Sequence, residues 1–385
     1  MNVVDYEYER TDILFKMWGL ANIGVFFMII GAFISNTLFN PKGLKLDFEE
    51  VKYSSRNING FSVYIAILFF IGVAALTLLK YRNSLGALPI EYLIFGNSDS
   101  KLFALLRSDA TGGFVGKYYR YRLLMEYLPT FTLVITFFLK SNGIKWRFLF
   151  SVNLLFVIFI SVRDFQKSPI VELVILLTIC QILLKNRINK KLIFGVISML
   201  SVIIVLMYMY FMGLYDRDSS TIAGSALNRI FIAQASPLYH YFLYWEESGY
   251  LLGRSFPNPA GILPFENIRL TKEIARFMWG PVKDAVGSAP TVFYGDWLLN
   301  FGYSGAFFSM VTLGFILQTF DNIFMRILKN KTNVFALALY VFLMIYFGRY
   351  AGTTFITLPL DVVVYFLTII TFVLTFLGIR KRSSS

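Results

Sequence analysis

Leu214-YDRDSSTIAGSALNRIFIAQASPLYHYFLYWEESGYLLGRSFPNPAGILPFENIRLTKEIARFMW-Gly280, resumed at Gly287-SAPTVFYGDWLLNFGYS-Gly305, is the longest part of the chain that cannot sit in lipid. It is polar, rich in Pro and Gly, and carries the only histidine, His240. Apolar runs close it on both sides. The fold follows from that contrast: a membrane scaffold presents one large extramembrane loop.

Composition agrees. Of 385 residues, 57% are hydrophobic and only 15% charged, against about a quarter charged in a soluble domain. Such a chain cannot cover its own surface with polar groups, and long apolar runs mark an integral membrane protein. The net charge of +13 has no basic, aromatic-lined soluble module to serve, so no nucleic-acid partner is expected. Lysines and arginines retained on the cytoplasmic side account for it instead. The lone Cys180 lies within an apolar run, which excludes disulfides and cysteine metal sites. The start, MNVVDYEYERTD, is acidic and lacks the basic segment of a signal peptide.

Apolar spans are read at about 14–35, 61–80, 123–139, 147–162, 168–184, 192–213, 303–325, 333–348 and 358–379, each long enough to cross a hydrocarbon core as a helix. A barrel would alternate in ten-residue segments, and no such pattern occurs. Leu183–Lys191 (LLKNRINKK), Arg326–Lys331 and the tail Ile379–Arg382 are strongly basic and fall on one side, assigned to the cytoplasm. Parity requires a further crossing, placed at Leu85–Gly96 (LGALPIEYLIFG). The expected fold is therefore all-α: one polytopic membrane domain over 1–385, with about ten transmembrane helices. A smaller external loop spans 98–122. A large, partly helical periplasmic loop with a re-entrant segment spans 214–302.

Candidate site residues come from the external side. The run GKYYRYR brings Arg120 and Arg122 among tyrosines, a pattern that suits an anionic ligand near the headgroups. It also suits an ordinary cytoplasmic loop if the orientation is reversed there. Arg163 opens a span and either binds phosphate or pairs internally, with Lys167 and Glu172 nearby. Arg217, Arg229, Arg254, Arg269 and Arg276 in the large loop carry the planar fork suited to bidentate phosphate contact. The stretch RIFIAQASPLYHYFLYW reads as an amphipathic helix on the membrane. His240 on it is a general base, a phosphate donor or a structural histidine. Asp216 and Asp218 have the spacing of a metal-ligand pair, yet no third carboxylate completes a hard-cation site. No metal and no cofactor are expected. No nucleotide-binding loop, HExxH or GxSxG occurs, so the substrate must arrive already activated.

In this pattern the chain resembles the O-antigen (oligosaccharide repeat-unit) polymerases of bacterial inner membranes. The resemblance rests on the many helices, the dominant loop, the arginine-led start at Arg163 and the segment APTVFYGDWLLNFGYSGAFF. Arg276 and Gly287 are separated by ten residues, as in loops of some members, whereas Lys101 stands where arginine would precede Gly112. The resemblance implies a metal-independent glycosyltransferase acting at the periplasmic face. Its partners would be undecaprenyl-diphosphate-linked oligosaccharide, membrane lipid and a chain-length regulator protein. Arg163, Arg229, Arg254, Arg276, Arg120 and Arg122 would bind the diphosphate, with His240 or Asp296 as base. A flippase of lipid-linked oligosaccharide and an O-antigen ligase are the alternatives. The absence of two similar halves disfavours the flippase.

Overall fold

The computed structural model describes residues 10–39, 60–85, 88–91, 118–164, 167–185, 190–212, 224, 236–258, 261, 264–280, 289, 291–330, 333–352, 358 and 361–378. Among them there is helix and turn but no strand. The helices are α1 (Thr11–Phe39), α2 (Gly60–Leu85), α3 (Tyr118–Arg122, a π-helical turn Leu123–Tyr127, then Leu128–Leu139), α4 (Ile144–Val162), α5 (Lys167–Lys185) and α6 (Lys190–Met212). They continue as α7 (Ser236–Ser248), α8 (Leu270–Trp279), α9 (Phe293–Asn330), α10 (Val334–Gly348) and α11 (Val362–Gly378).

Six stretches among the described residues are long and apolar enough to cross a membrane: Thr11–Phe39, Gly60–Leu85, Arg120–Asn142, Ile144–Val162, Ser168–Lys185 and Phe293–Leu328. Ile193–Val202, Val334–Gly348 and Val362–Gly378 are shorter apolar helices. The protein is an all-α, membrane-embedded chain. The additional crossing expected at Leu85–Gly96 lies mostly outside the described residues, as do most of loop 98–122 and all of 213–223.

Two compact units divide the chain, and each draws on separated stretches of sequence. The first contains α1, the segment 227–323 and residues 347–360. Its organising contact is a close crossing of α1 with α9. A Cβ on Gly31 would stand 1.9 Å from the Val311 carbonyl oxygen, and one on Gly314 would stand 2.1 Å from that of Met28. Only hydrogen fits there, and backbones that close gain dispersion contact, as small-residue helix pairs do in lipid. Ser35 and Thr319 hydroxyls share a hydrogen bond of 2.7 Å, and Phe27 stacks on Phe307.

The second unit contains 44–226, 324–346 and 361–385. Its centre is α3, whose residues Phe131 to Leu139 are all buried. Asn153 of α4 donates to the Thr132 hydroxyl at 3.0 Å in this core. Leu133, Val157 and Leu173 form an apolar cluster between α3, α4 and α5. Pro129 has no amide hydrogen, and its ring crowds the carbonyl four residues back. The helix widens just before it, so the Leu128 amide bonds the Leu123 carbonyl, a π-turn of the kind often found at functional sites. Asp361 starts α11 by accepting from the Val363 amide at 2.8 Å, and Tyr346 donates to its other oxygen at 2.7 Å.

Candidate functional site

In the first unit, α7 is anchored beside the start of α1. Arg10 reaches Glu246 at 2.7 Å, Lys16 reaches it at 3.2 Å, and the Arg10 amide donates to the Tyr239 hydroxyl. The Arg10 hydrogen bond above all holds the Glu246 carboxyl below its ordinary pKa. Residues 225–235 lie outside the described residues, so Arg229 does too. From Ser236 onward the helix does not lie free on lipid: Ser236–Tyr239, Tyr241 and Phe242 are buried in protein. The aromatics that suggested a membrane surface find partners within the unit, as with Phe242 against Trp245 and Tyr303.

His240 is half-buried on α7, with its ring edge-on to Phe277 of α8 at 6.4 Å between centroids. Tyr244, one turn later, meets the same Phe277 ring at 5.6 Å. Burial lowers the histidine's pKa, so its imidazole is neutral and can accept a proton near neutral pH.

Tyr244 also lines a cleft of about 530 Å³ formed with Arg254, Glu266, Asn267, Ile268, Arg269, Lys272, Glu273 and Arg276. Its wall is assembled by backbone pairing. The Leu251 and Leu252 amides donate to the Leu299 and Asn300 carbonyls on α9, and the Ile268 amide donates to the Arg254 carbonyl at 2.8 Å. That last bond sets Arg254 beside the segment leading into α8, where Arg269 is the capping residue. The spacing 269, 272–273, 276 puts the other charged groups on one helical face. Four cations face two carboxylates, and the positive end of the α8 dipole adds to the excess. Arg276 is bound by Glu273 at 2.7 Å. Among the described residues Arg254, Arg269 and Lys272 make no side-chain hydrogen bond or ion pair. A cleft of this kind suits a multiply charged anion.

Asp296 lies on α9 and hydrogen-bonds the side chain of Tyr241. Tyr241 is fully buried, and its hydroxyl also lies 3.5 Å from the Ala289 carbonyl. Burial, and then the charge of Asp296, raises the tyrosine's pKa. The phenol therefore remains protonated and donates. His240 and Tyr241 are consecutive on α7 and point about 100° apart.

The remaining candidates belong to the second unit. Arg163, 1% exposed, donates to Glu126 and pairs with Asp164 at 3.0 Å. Its guanidinium lies 5.4 Å from the Tyr81 ring centroid. Arg122 donates to the other Glu126 oxygen at 2.8 Å. Among the described residues, two cations meet two carboxylates here. The acids that meet Arg163 among the described residues are Glu126, presented by the π-turn of α3, and its chain neighbour Asp164. Arg120 is exposed.

The structure thus brings Arg254 and Arg276 into one cleft, with the His240 helix forming part of its wall. Lys272, Tyr241 and Asn300 were missed as site residues, and Arg269 was named only among the arginines of the loop. The three-residue step from Arg269 to Lys272 and the four-residue step on to Arg276 were the signal available for Lys272. Asp216 and Asp218 fall outside the described residues, among which no group of three His, Cys, Asp or Glu is placed to hold a metal. No protein-family model, curated protein or solved structure matches the chain.

Proposed function

We propose that the chain is a membrane glycosyltransferase that polymerises undecaprenyl-diphosphate-linked oligosaccharide repeat units at the periplasmic face of the bacterial inner membrane. The observation that carries this reading is the cationic cleft, in which Arg254, Arg269 and Lys272 make no ion pair among the described residues, with half-buried His240 one helical turn before Tyr244 of its wall. In the reaction, a sugar hydroxyl of the acceptor unit attacks the anomeric carbon of the donor glycan. The new glycosidic C–O bond forms as the bond from that carbon to the diphosphate breaks. The hydroxyl proton passes to a base, and undecaprenyl diphosphate leaves with the bonding pair.

Negative charge grows on the leaving diphosphate in the transition state. Fixed cations beside it stabilise that state more than the ground state, which is what acceleration requires. Arg254 and Arg269 supply planar forks, and Lys272 supplies a point charge. Arg276 is the fourth cation, already balanced by Glu273. His240 serves as the base: its ring is neutral, and it shares Phe277 with Tyr244, which lines the cleft. Asp296 is the alternative base, with Tyr241 orienting its carboxylate.

Loss of the protein in the producing organism tests the reading. Single repeat units on the lipopolysaccharide core, with longer chains gone, are expected. Complete absence of repeat units would point to a flippase or a ligase.

A further inference from the structure

Leu252 is the one non-glycine residue with positive φ among the described residues, at 49°. A bulky side chain is disfavoured in that conformation, and it persists only where surrounding structure enforces it. The enforcing group is Asn300. Its side chain is fully buried, and every polar arm is used. Oδ1 accepts from the Gly253 amide at 2.7 Å, while Nδ2 donates to Ser255 Oγ and to the Asp296 carbonyl, each at 2.6 Å. Its backbone carbonyl takes the Leu252 amide at 3.2 Å. Asn300 therefore grips the residue before Arg254 and the residue after it. The Arg254 carbonyl in turn receives the Ile268 amide, one residue before Arg269.

We infer that Asn300 and Ser255 are positioning residues that hold the strained Leu252–Ser255 turn, so that Arg254 is preset for the diphosphate. The inference rests on the reading of the cleft as the diphosphate site. Arg254 is itself exposed, and a free arginine side chain loses rotamer entropy when it binds. Fixing its backbone through two side-chain hydrogen bonds, to the Gly253 amide and Ser255 Oγ, removes the backbone part of the ordering cost in advance and limits the directions from which the guanidinium can approach. That is preorganisation by a buried amide that touches no substrate.

The test uses full-length protein in lipid nanodiscs, with undecaprenyl diphosphate as the probe, and measures Kd together with the thermal unfolding midpoint. Asn300 is buried and its loss can prevent folding, so Ser255→Ala is the working variant. Arg254→Ala should weaken binding by about tenfold or more, as loss of a charge-assisted contact does. Ser255→Ala should weaken it by about threefold, the scale of one neutral hydrogen bond, with a modestly lowered midpoint because one buried Asn300 N–H loses its acceptor. Ser255→Thr, which keeps the acceptor hydroxyl, should restore wild-type binding. In the Arg254→Ala background Ser255→Ala should cost nothing more, because its effect passes through Arg254. Additive losses, or an unaltered Kd in Ser255→Ala, overturn the positioning role and leave the cleft assignment standing. Binding by Arg254→Ala as tight as wild type overturns the cleft assignment itself.

Discussion

The buried guanidinium of Arg163, at the end of α4, is bound to the carboxylate of Glu126, presented by the π-turn of α3, with Arg122 on that carboxylate's other oxygen. The pair lies 37 residues apart in sequence. It turns a residue that reads as a phosphate ligand into one whose charge is already met.

Removing one member of this cluster should therefore cost folding before it costs chemistry. Arg163→Ala leaves Glu126 and Asp164 facing each other without their shared cation, a loss of about 3–5 kcal/mol. Glu126→Gln keeps shape and removes charge, and should cost less than Arg163→Ala. Thermal unfolding of the purified variants checks this. An Arg163→Ala protein as stable as wild type but inactive would instead make Arg163 a substrate ligand.

The crossing of α1 and α9 has no room for a methyl group. Gly31→Ala should destabilise the first unit by about 1–3 kcal/mol, since the obstacle is the Val311 backbone rather than a side chain that can turn away. Gly72, with open space around its missing Cβ, should accept alanine without loss. Comparison of the two unfolding midpoints is the measurement.

Activity should fall on the acid side only below the ordinary imidazole range. The folded pKa of His240 is depressed by burial, so the ring stays neutral down to a pH under about 6.5. Below that value protonation removes the base. In the same window the unfolded chain binds a proton that the folded chain resists, so stability also declines as pH falls. In His240→Gln, a pH–rate profile of lipid-linked repeat-unit consumption should lose this acid limb along with most of the rate. Retention of the limb assigns it to another group, Asp296 first.

The membrane scaffold was legible because hydropathy is local. The run 14–35 becomes α1, and 303–325 becomes the long part of α9, with no tertiary information needed. The span read at 303–325 begins at a turn: Gly302, at φ 67°, departs from helical geometry inside Phe293–Asn330. The site was half legible. Arg254 and Arg276 could be picked for their type, but their meeting depends on the Ile268–Arg254 backbone bond and on Asn300, which no spacing rule connects to a loop 45 residues earlier. His240 and Asp296 were alternative candidates for one base. Their separation follows from adjacent positions on α7, which send His240 toward Phe277 and Tyr241 toward Asp296. Glu126 lies 37 residues before Arg163 on another helix, and no spacing rule joins the two.

The central claim is that the cleft binds the diphosphate that leaves during glycosyl transfer. Purified protein in proteoliposomes, supplied with undecaprenyl-diphosphate-linked repeat units alone and no added nucleotide sugar, should produce a ladder of longer glycans. One undecaprenyl diphosphate should be released per bond formed. Arg254→Lys and Arg269→Lys keep charge but lose the planar fork, and each should shorten the ladder nearly as much as alanine does. Full-length ladders from the combined Arg254→Lys, Arg269→Lys and Lys272→Ala protein, at wild-type rate and membrane level, would contradict the account.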